Sequence, residues 1–324
     1  MFRLFVLALG ATLAFAQSPS SGCGKSLPEG QELGGFYNAT VNNRRFVIFI
    51  PPDYTISEPA PLIVSYHGGS RSPENQIDLD LFTDSKYNTD KMVVYPEGTS
   101  LSNCQASNTC AERYWSVDPR ITADDVAFTQ SILDIVQDTY CLDTNRFYAS
   151  GKSQGGGVIG SIFACTPALS NAFAAFAPVS GAFYTPNVSP CESPFMFPIP
   201  CNPGRTNIPI IEFHGGQDDV ISYNGSARRT GACLPNIPWW VESWAVRDGL
   251  GMTGETRQLA DDTPNTTITQ YGVQQQKGLV THVFDAVIKH VWPSKSTNSD
   301  NNGVVAEFDA TPIIIDFFDA HTLA

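Results

Sequence analysis

The stretch Arg146-Phe147-Tyr148-Ala149-Ser150-Gly151-Lys152-Ser153-Gln154-Gly155-Gly156-Gly157-Val158-Ile159 reads in succession as a strand, a turn and a helix. Arg146–Ser150 alternates like a short buried strand, and the glycine-rich run after Ser153 can open a helix. Small residues two positions either side of Ser153 let the backbone turn sharply there. Such a turn lifts the Ser153 Oγ above the sheet and aims the Gln154 N–H at the same spot, beside a helix N-terminus. That setting suits an alkoxide nucleophile and the oxyanion it generates. A five-residue G-x-S-x-G match is weak alone, because glycine turns are common. The strand before it and the helix after it give it weight.

A serine of this kind needs a base and an orienting acid, which in α/β-hydrolases follow in the order Ser, Asp, His. The chain has five histidines: His67, His214, His282, His290 and His321. His67 and His214 precede the candidate acid. His282 lies in the strand-like Val280–Phe284, where a sheet histidine is expected, and His321 ends the last helix. His290 remains, in a loop stopped by Pro293. For the acid, the apolar strand Pro209–His214 breaks at Gly215-Gly216, and Asp218-Asp219 follow at the C-terminal end where open α/β sheets place their sites. Asp218 is the expected acid and Asp219 the alternative. A second oxyanion donor is expected where the buried strand Pro61–Tyr66 runs into His67-Gly68-Gly69-Ser70, from the N–H of Gly69 or Ser70.

These segments resemble a known family. His67-Gly68-Gly69, Gly151–Gly157, His214-Gly215-Gly216-Gln217-Asp218-Asp219-Val220-Ile221-Ser222-Tyr223 and His290-Val291-Trp292-Pro293 are similar to motifs of the secreted fungal feruloyl esterases. Those belong to the first carbohydrate esterase family and are relatives of the polyhydroxybutyrate depolymerases. Arg228–Pro235 and Phe308–Ile314 resemble the same group. The family pattern puts the acid at Asp218 and the base at His290. Ser222 departs from it, since relatives usually carry Pro there. The resemblance implies hydrolysis of esters between hydroxycinnamic acids and plant cell-wall sugars.

Residues 1–16 have the form of a secretory signal: Arg3, an apolar run from Leu4 to Phe15, then small residues at Ala14 and Ala16. The run is too short to span a bilayer. Secretion makes the eight cysteines disulfide candidates, and none of their spacings is that of a zinc site. Cys104 and Cys110 bracket a short polar loop and are expected to pair. Cys141 opens the strand leading to Ser153 and Cys165 closes the helix leaving it. At about 3.3 Å per strand residue and about 1.5 Å per helix residue the two have similar lengths, so Cys141 and Cys165 are expected to pair beneath the elbow. Sequons stand at Asn38, Asn187, Asn224 and Asn265. A net charge of −13 argues against a nucleic-acid partner, which requires a basic face.

Strands alternate with helices along the chain, which predicts a mostly parallel sheet covered on both faces. Helices are expected from about Ala123 to Gln137 and over Pro238–Arg247, with Trp240 and Trp244 in the core, and Thr311 is expected to cap a final helix. The proline-broken loop Gly181–Asn207 and the loop Gly98–Arg120 carry aromatics that could wall a pocket. Trp115, Tyr184, Phe195 and Trp292 are the candidate substrate contacts. The polar loop Ser294–Gly303 does not read as a linker to a cellulose-binding domain, so wall attachment is expected to come from the catalytic domain itself.

The reading is therefore a single α/β-hydrolase domain over residues 17–324, an extracellular, monomeric serine esterase with no cofactor, metal, membrane or nucleic-acid partner. Its substrate is a feruloylated plant cell-wall polysaccharide. Rival substrates are acetyl xylan and polyhydroxyalkanoate or cutin polyesters. A rival of another class is a non-catalytic, polysaccharide-binding hydrolase relative.

Overall fold

The computed structural model describes residues 18–101, 111–186, 191–229 and 231–323. The signal segment 1–16, the Cys104–Cys110 pair and the Asn187 sequon lie outside the described residues. Strands β1 (Phe36–Val41), β2 (Arg44–Phe49) and β3 (Ala60–Tyr66) precede helix α1 (Pro73–Asp80) and β4 (Met92–Pro96). Helix α2 (Asp125–Thr139), β5 (Leu142–Lys152), α3 (Gln154–Val158), α4 (Pro167–Ser170) and β6 (Ala175–Val179) follow. Next come β7 (Ile210–Gly215), β8 (Ser226–Arg229), β9 (Ala232–Leu234), α5 (Ile237–Arg247), β10 (Glu255–Gln258), β11 (Thr266–Tyr271), β12 (Val280–Asp285) and α6 (Ala310–Asp319).

Ten strands form one sheet in the order β1-β2-β4-β3-β5-β6-β7-β12-β11-β10. From β4 through β12 neighbouring strands run parallel, and antiparallel pairs extend both edges. Strand parity builds the two cores. Leu62, Val64 and Tyr66 of β3 pack on one face with Phe128, Ile132 and Val136 of α2 and Trp240 and Trp244 of α5. Ile63 and the alternate residues Val93 and Tyr95 of β4 pack on the other with Ile314, Ile315 and Phe318 of α6. Side chains of a strand alternate between faces, so central strands buried on both sides need apolar residues at every position. At the β10 edge that demand lapses: all four residues are exposed.

Asp124 caps α2 by accepting from the Ala127 N–H at 2.9 Å. The expected cap at Thr311 is not formed. Asp309 takes the cap position of α6. Thr311 Oγ1 instead donates to the Asp80 carbonyl at 2.6 Å and accepts from Trp292 Nε1 at 3.1 Å. Among the described residues no helix is long and apolar enough to cross a membrane.

The cysteines differ from expectation. Cys141 bonds Cys23 and Cys165 bonds Cys201, with Cys191 joined to Cys233. The strand is the reason. β5 runs 11 residues, at about 3.3 Å each. The helical run of 5 and 5 residues after Ser153 returns at only about 1.5 Å each. Cys165 therefore stops well short of Cys141 and meets the proline-rich loop instead.

Non-reducing peptide mapping should recover Cys23–Cys141, Cys165–Cys201 and Cys191–Cys233. The Cys23–Cys141 bond spans 118 residues. Its removal by a double Cys→Ser change should cost about 2–5 kcal/mol in denaturant unfolding.

Candidate active site

Ser153 stands alone between the end of β5 and the start of α3, with φ 58° and ψ −118°. A non-glycine residue rarely adopts positive φ, and the surrounding bonds must hold it there. The Ser153 N–H donates to the Val179 carbonyl at 2.9 Å, and its own carbonyl accepts from Gly157 and Ala182 at 2.8 Å each. Any Cβ at Gly155 would run into the Tyr66 carbonyl, so α3 leaves β5 this closely only because position 155 has no side chain.

Asp218 follows the end of β7. Its Oδ1 accepts from the backbone N–H groups of Val220 at 2.9 Å and Ile221 at 2.7 Å. His290 lies beyond β12 on a loop turned by Asp285, whose Oδ1 accepts from Val287 and Ile288. The three side chains meet. His290 Nδ1 is 2.7 Å from Asp218 Oδ2, and its Nε2 is 2.9 Å from Ser153 Oγ. An ionised carboxylate only accepts, so Nδ1 carries the proton and Nε2 is free to accept from the serine hydroxyl. Burial, reinforced by the nearby Lys152 cation, pushes His290 down to about 4. Burial alone would raise Asp218, but hydrogen bonds from His214 and His290 hold it well below the carboxylate range. Asp219 points outward, to a surface pair with Lys289 at 2.8 Å.

Of the two expected partners for the Gln154 N–H, Ser70 is already engaged: its N–H donates to the Arg113 carbonyl at 2.8 Å. Gly69 has no acceptor for its N–H among the described residues. Gln154 opens α3, so its N–H has no partner within the helix. The Gln154 side chain is clamped, donating to Asp118 Oδ2 at 3.0 Å, while Arg120 holds the same carboxylate at 2.7 Å. His67 latches the glycine loop to the end of β4. Its Nε2 accepts from the Gly98 N–H at 3.0 Å and its Nδ1 donates to the Gly68 carbonyl at 2.7 Å. Burial lowers it to about 4, so the latch is uncharged near neutrality.

A cavity of about 710 Å³ opens above Ser153. Tyr114, Tyr184, Leu79, Ile221 and Val304 supply apolar wall, and Arg71, Asn75, Ser299, Asn301 and Asn302 supply polar groups. Among the proposed aromatic contacts only Tyr184 lines it. Trp115 is 0% exposed, edge-on to Tyr66 at 5.2 Å and donating from Nε1 to the His67 carbonyl at 2.7 Å. Tyr114 bridges to Thr99 as extended chain, where neighbouring side chains point oppositely. That puts Tyr114 in the cavity and Trp115 in the core. Trp292 is buried against Phe82. Phe195 lies outside the cavity wall, its carbonyl accepting from the Asn236 N–H.

Two features escaped sequence reasoning. Lys152 Nζ is buried 2.6 Å from Asp300 and donates to the His290 carbonyl at 3.0 Å, tying the Ser294–Gly303 loop to the elbow. The polarity of that loop was the available signal. Also missed was the row of ionisable groups behind Asp218, taken up below. Among the described residues no group of three or more His, Cys, Asp or Glu could hold a metal ion.

The solved structure of the acetyl xylan esterase from Aspergillus awamori aligns with a TM-score of 0.53 at 16% identity, over 88% of this chain and 99% of that one. With the parallel sheet and its serine turn, this makes the fold that of a single-domain α/β-hydrolase. No family model matches the chain. Feruloyl esterase D of Neurospora crassa is 30% identical over 234 residues, covering 68% of this chain and 69% of that protein. Feruloyl esterase B of Piromyces equi is 28% identical over 70% of this chain, which spans only 39% of that protein. The chain belongs to the feruloyl esterase family.

A fluorophosphonate that reacts with base-activated serines should label Ser153. The rate should be level from about pH 5.5 to 8 and fall as pH drops through about 4, where His290 takes up a proton. Rapid, pH-independent labelling elsewhere would contradict this geometry.

Proposed function

We propose that this chain is a secreted serine esterase that releases hydroxycinnamic acids, ferulate or p-coumarate, from plant cell-wall polysaccharides. The observation that carries the reading is the continuous Ser153–His290–Asp218 hydrogen-bonded chain, 2.9 Å and 2.7 Å long at its two links, beneath a cavity with tyrosine in its wall. Ser153 Oγ attacks the ester carbonyl while His290 Nε2 takes its proton. The tetrahedral oxyanion is held by the N–H groups of Gln154 and Gly69. Collapse breaks the bond to the sugar oxygen, which leaves with the proton from His290. Water, deprotonated by the same nitrogen, then attacks the acyl-serine; the acid departs and Ser153 regains its proton. Asp218 holds the imidazole in the productive tautomer and stabilises the imidazolium between steps.

Relatives named as feruloyl esterases favour an aromatic acyl group. Tyr114 and Tyr184 offer faces on which a flat ring can pack, and the asparagine- and serine-rich remainder suits a sugar. The secretory leader over residues 1–16, a single esterase domain over 17–324 and a monomeric state belong to the same proposal. Acetyl xylan is the second reading, favoured by the polar groups that make up so much of the cavity wall. A purely sugar-binding role is disfavoured, since it gives no reason to hold Ser153 at positive φ.

Replacing Ser153 by Ala should lower kcat by about 10⁴-fold or more, and Asp218 by Asn by about 10⁴-fold, in a folded protein. Asp219→Asn, altering only a surface ion pair, should stay within a few-fold of wild type. Steady-state kinetics on the three variants checks this, and the reverse ranking of the two acids would move the orienting role to Asp219.

Methyl ferulate or methyl p-coumarate should be cleaved with a higher kcat/KM than a matched acetate ester. Tyr184→Ala should reduce that preference by about 5-fold while sparing acetate turnover, since an aromatic contact is worth about 1 kcal/mol. Preference for acetate by the wild type would leave the serine mechanism standing and assign the enzyme to acetyl xylan.

A further inference from the structure

Behind Asp218, on the side away from Ser153, lies a second row of ionisable side chains with no part in the steps above. Glu212 and His214 sit two apart on β7 and so share a face, and both are buried, at 0% and 1% exposure. His282 of β12 stands in register opposite Glu212. His214 Nδ1 is 2.8 Å from Glu212 Oε1. Its Nε2 is 2.9 Å from the Ile221 carbonyl and 3.3 Å from Asp218 Oδ2. His282 Nδ1 lies 2.8 Å from Glu212 Oε2, and its Nε2 is 3.1 Å from the Tyr223 hydroxyl.

The protons in this row follow from what each partner can do. The Ile221 carbonyl only accepts, so His214 Nε2 must carry a hydrogen. The Tyr223 hydroxyl can donate to His282 Nε2, leaving the His282 Nδ1 hydrogen facing Glu212. Glu212 thus takes an N–H from His214 at Oε1 and has the His282 ring within 2.8 Å of Oε2, too oblique for a second hydrogen bond. The His214 contact is the one that favours an ionised carboxylate. His214 then faces acceptors at both nitrogens, which only a doubly protonated ring satisfies.

We propose that His214 is a permanent imidazolium that positions Asp218 and, by sharing its negative charge, keeps His290 weakly basic enough to work unprotonated in acid surroundings. The catalytic half of this proposal rests on the serine-esterase reading; the charge state of His214 does not. Burial acts against the cation, but the Glu212 charge and the hydrogen bonds to Asp218 and Glu212 outweigh it and lift His214 to about 10. The other charged neighbours are accounted for. Lys152, from β5, also lowers His290 and is countered by Asp300, while Asp219 and Lys289 neutralise each other at the surface.

Two measurements decide it. In wild-type protein labelled with ¹⁵N-histidine, the His214 ring should show two protonated nitrogens at pH 8, above the ordinary histidine range near 6.5. A neutral tautomer at pH 8 would overturn the proposal, whether or not any variant folds. The double variant H214Q/E212Q removes one charge of each sign and leaves amides in their place. With no cation behind it, Asp218 should bear fully on His290, moving the acid limb of the kcat/KM profile upward by about one pH unit. A folded double variant with reduced kcat and an unmoved acid limb would show that the row merely packs. A wild type without hydrolytic activity would remove the esterase reading, and the nitrogen spectrum alone would then decide the charge on His214.

Discussion

Ser153 at positive φ is the constraint on which the rest of the structure depends. A serine relaxes readily to ordinary backbone angles, so something must keep it there at a cost of about 1–3 kcal/mol. The central position of β5 does so. With β3 on one side and β6 on the other, the strand cannot shift, and the Val179 carbonyl receives the serine N–H at the tip. Gly155 lets the helix pass close to the end of β3, where a side chain would collide with the Tyr66 carbonyl. The loops leaving β3, β7 and β12 reach the same end of the sheet because these strands run parallel to β5. The parallel order is therefore what assembles the site, and the antiparallel edges only widen its support.

Charge is handled by pairing rather than by exposure. This acidic chain buries Lys152 against Asp300, and places Glu212 and Asp218 on either side of His214. A buried ion without its partner would cost several kcal/mol. Each of these pairs also bears on His290. Lys152 reaches its backbone carbonyl and His214 reaches the carboxylate it leans on. The outcome is a separation of proton affinities: the acid held low, the base lowered, and the histidine behind them raised. Groups whose affinities are driven apart in this way divide acid and base roles without exchanging protons at rest.

The sequence made the central architecture legible because buried strands, helix faces and a glycine-flanked serine each leave a periodic or local mark. Residue order and loop position pointed to Ser153, His290 and the pair Asp218-Asp219, with Asp218 preferred by the family pattern. The structure brings Ser153, His290 and Asp218 within hydrogen-bond reach of one another. What stayed hidden depended on strand length or side-chain parity. Cys141 and Cys165 were expected to meet because the strand and the returning helix were taken as similar in length, whereas an extended residue advances about twice as far as a helical one. Trp115 was preferred to Tyr114 although one residue in extended chain reverses the direction of a side chain. His282 looked like an ordinary sheet histidine and His214 was set aside by its place before the acid, and only the register of β12 on β7 shows that both converge on Glu212. Thr311 has the chemistry of a helix cap, but it lies inside α6, behind Asp309 at the cap position, and ties the helix to Asp80 and Trp292.

The most direct test of the central claim is to look for the acyl-enzyme itself. An activated ferulate ester, mixed with the protein and quenched in acid within one turnover, should leave one feruloyl group on the peptide that contains Ser153, found by mass spectrometry. Its formation should precede release of free ferulate. Release of ferulate with no adduct on that peptide, or with the adduct on another residue, would contradict the assignment of Ser153 as the nucleophile.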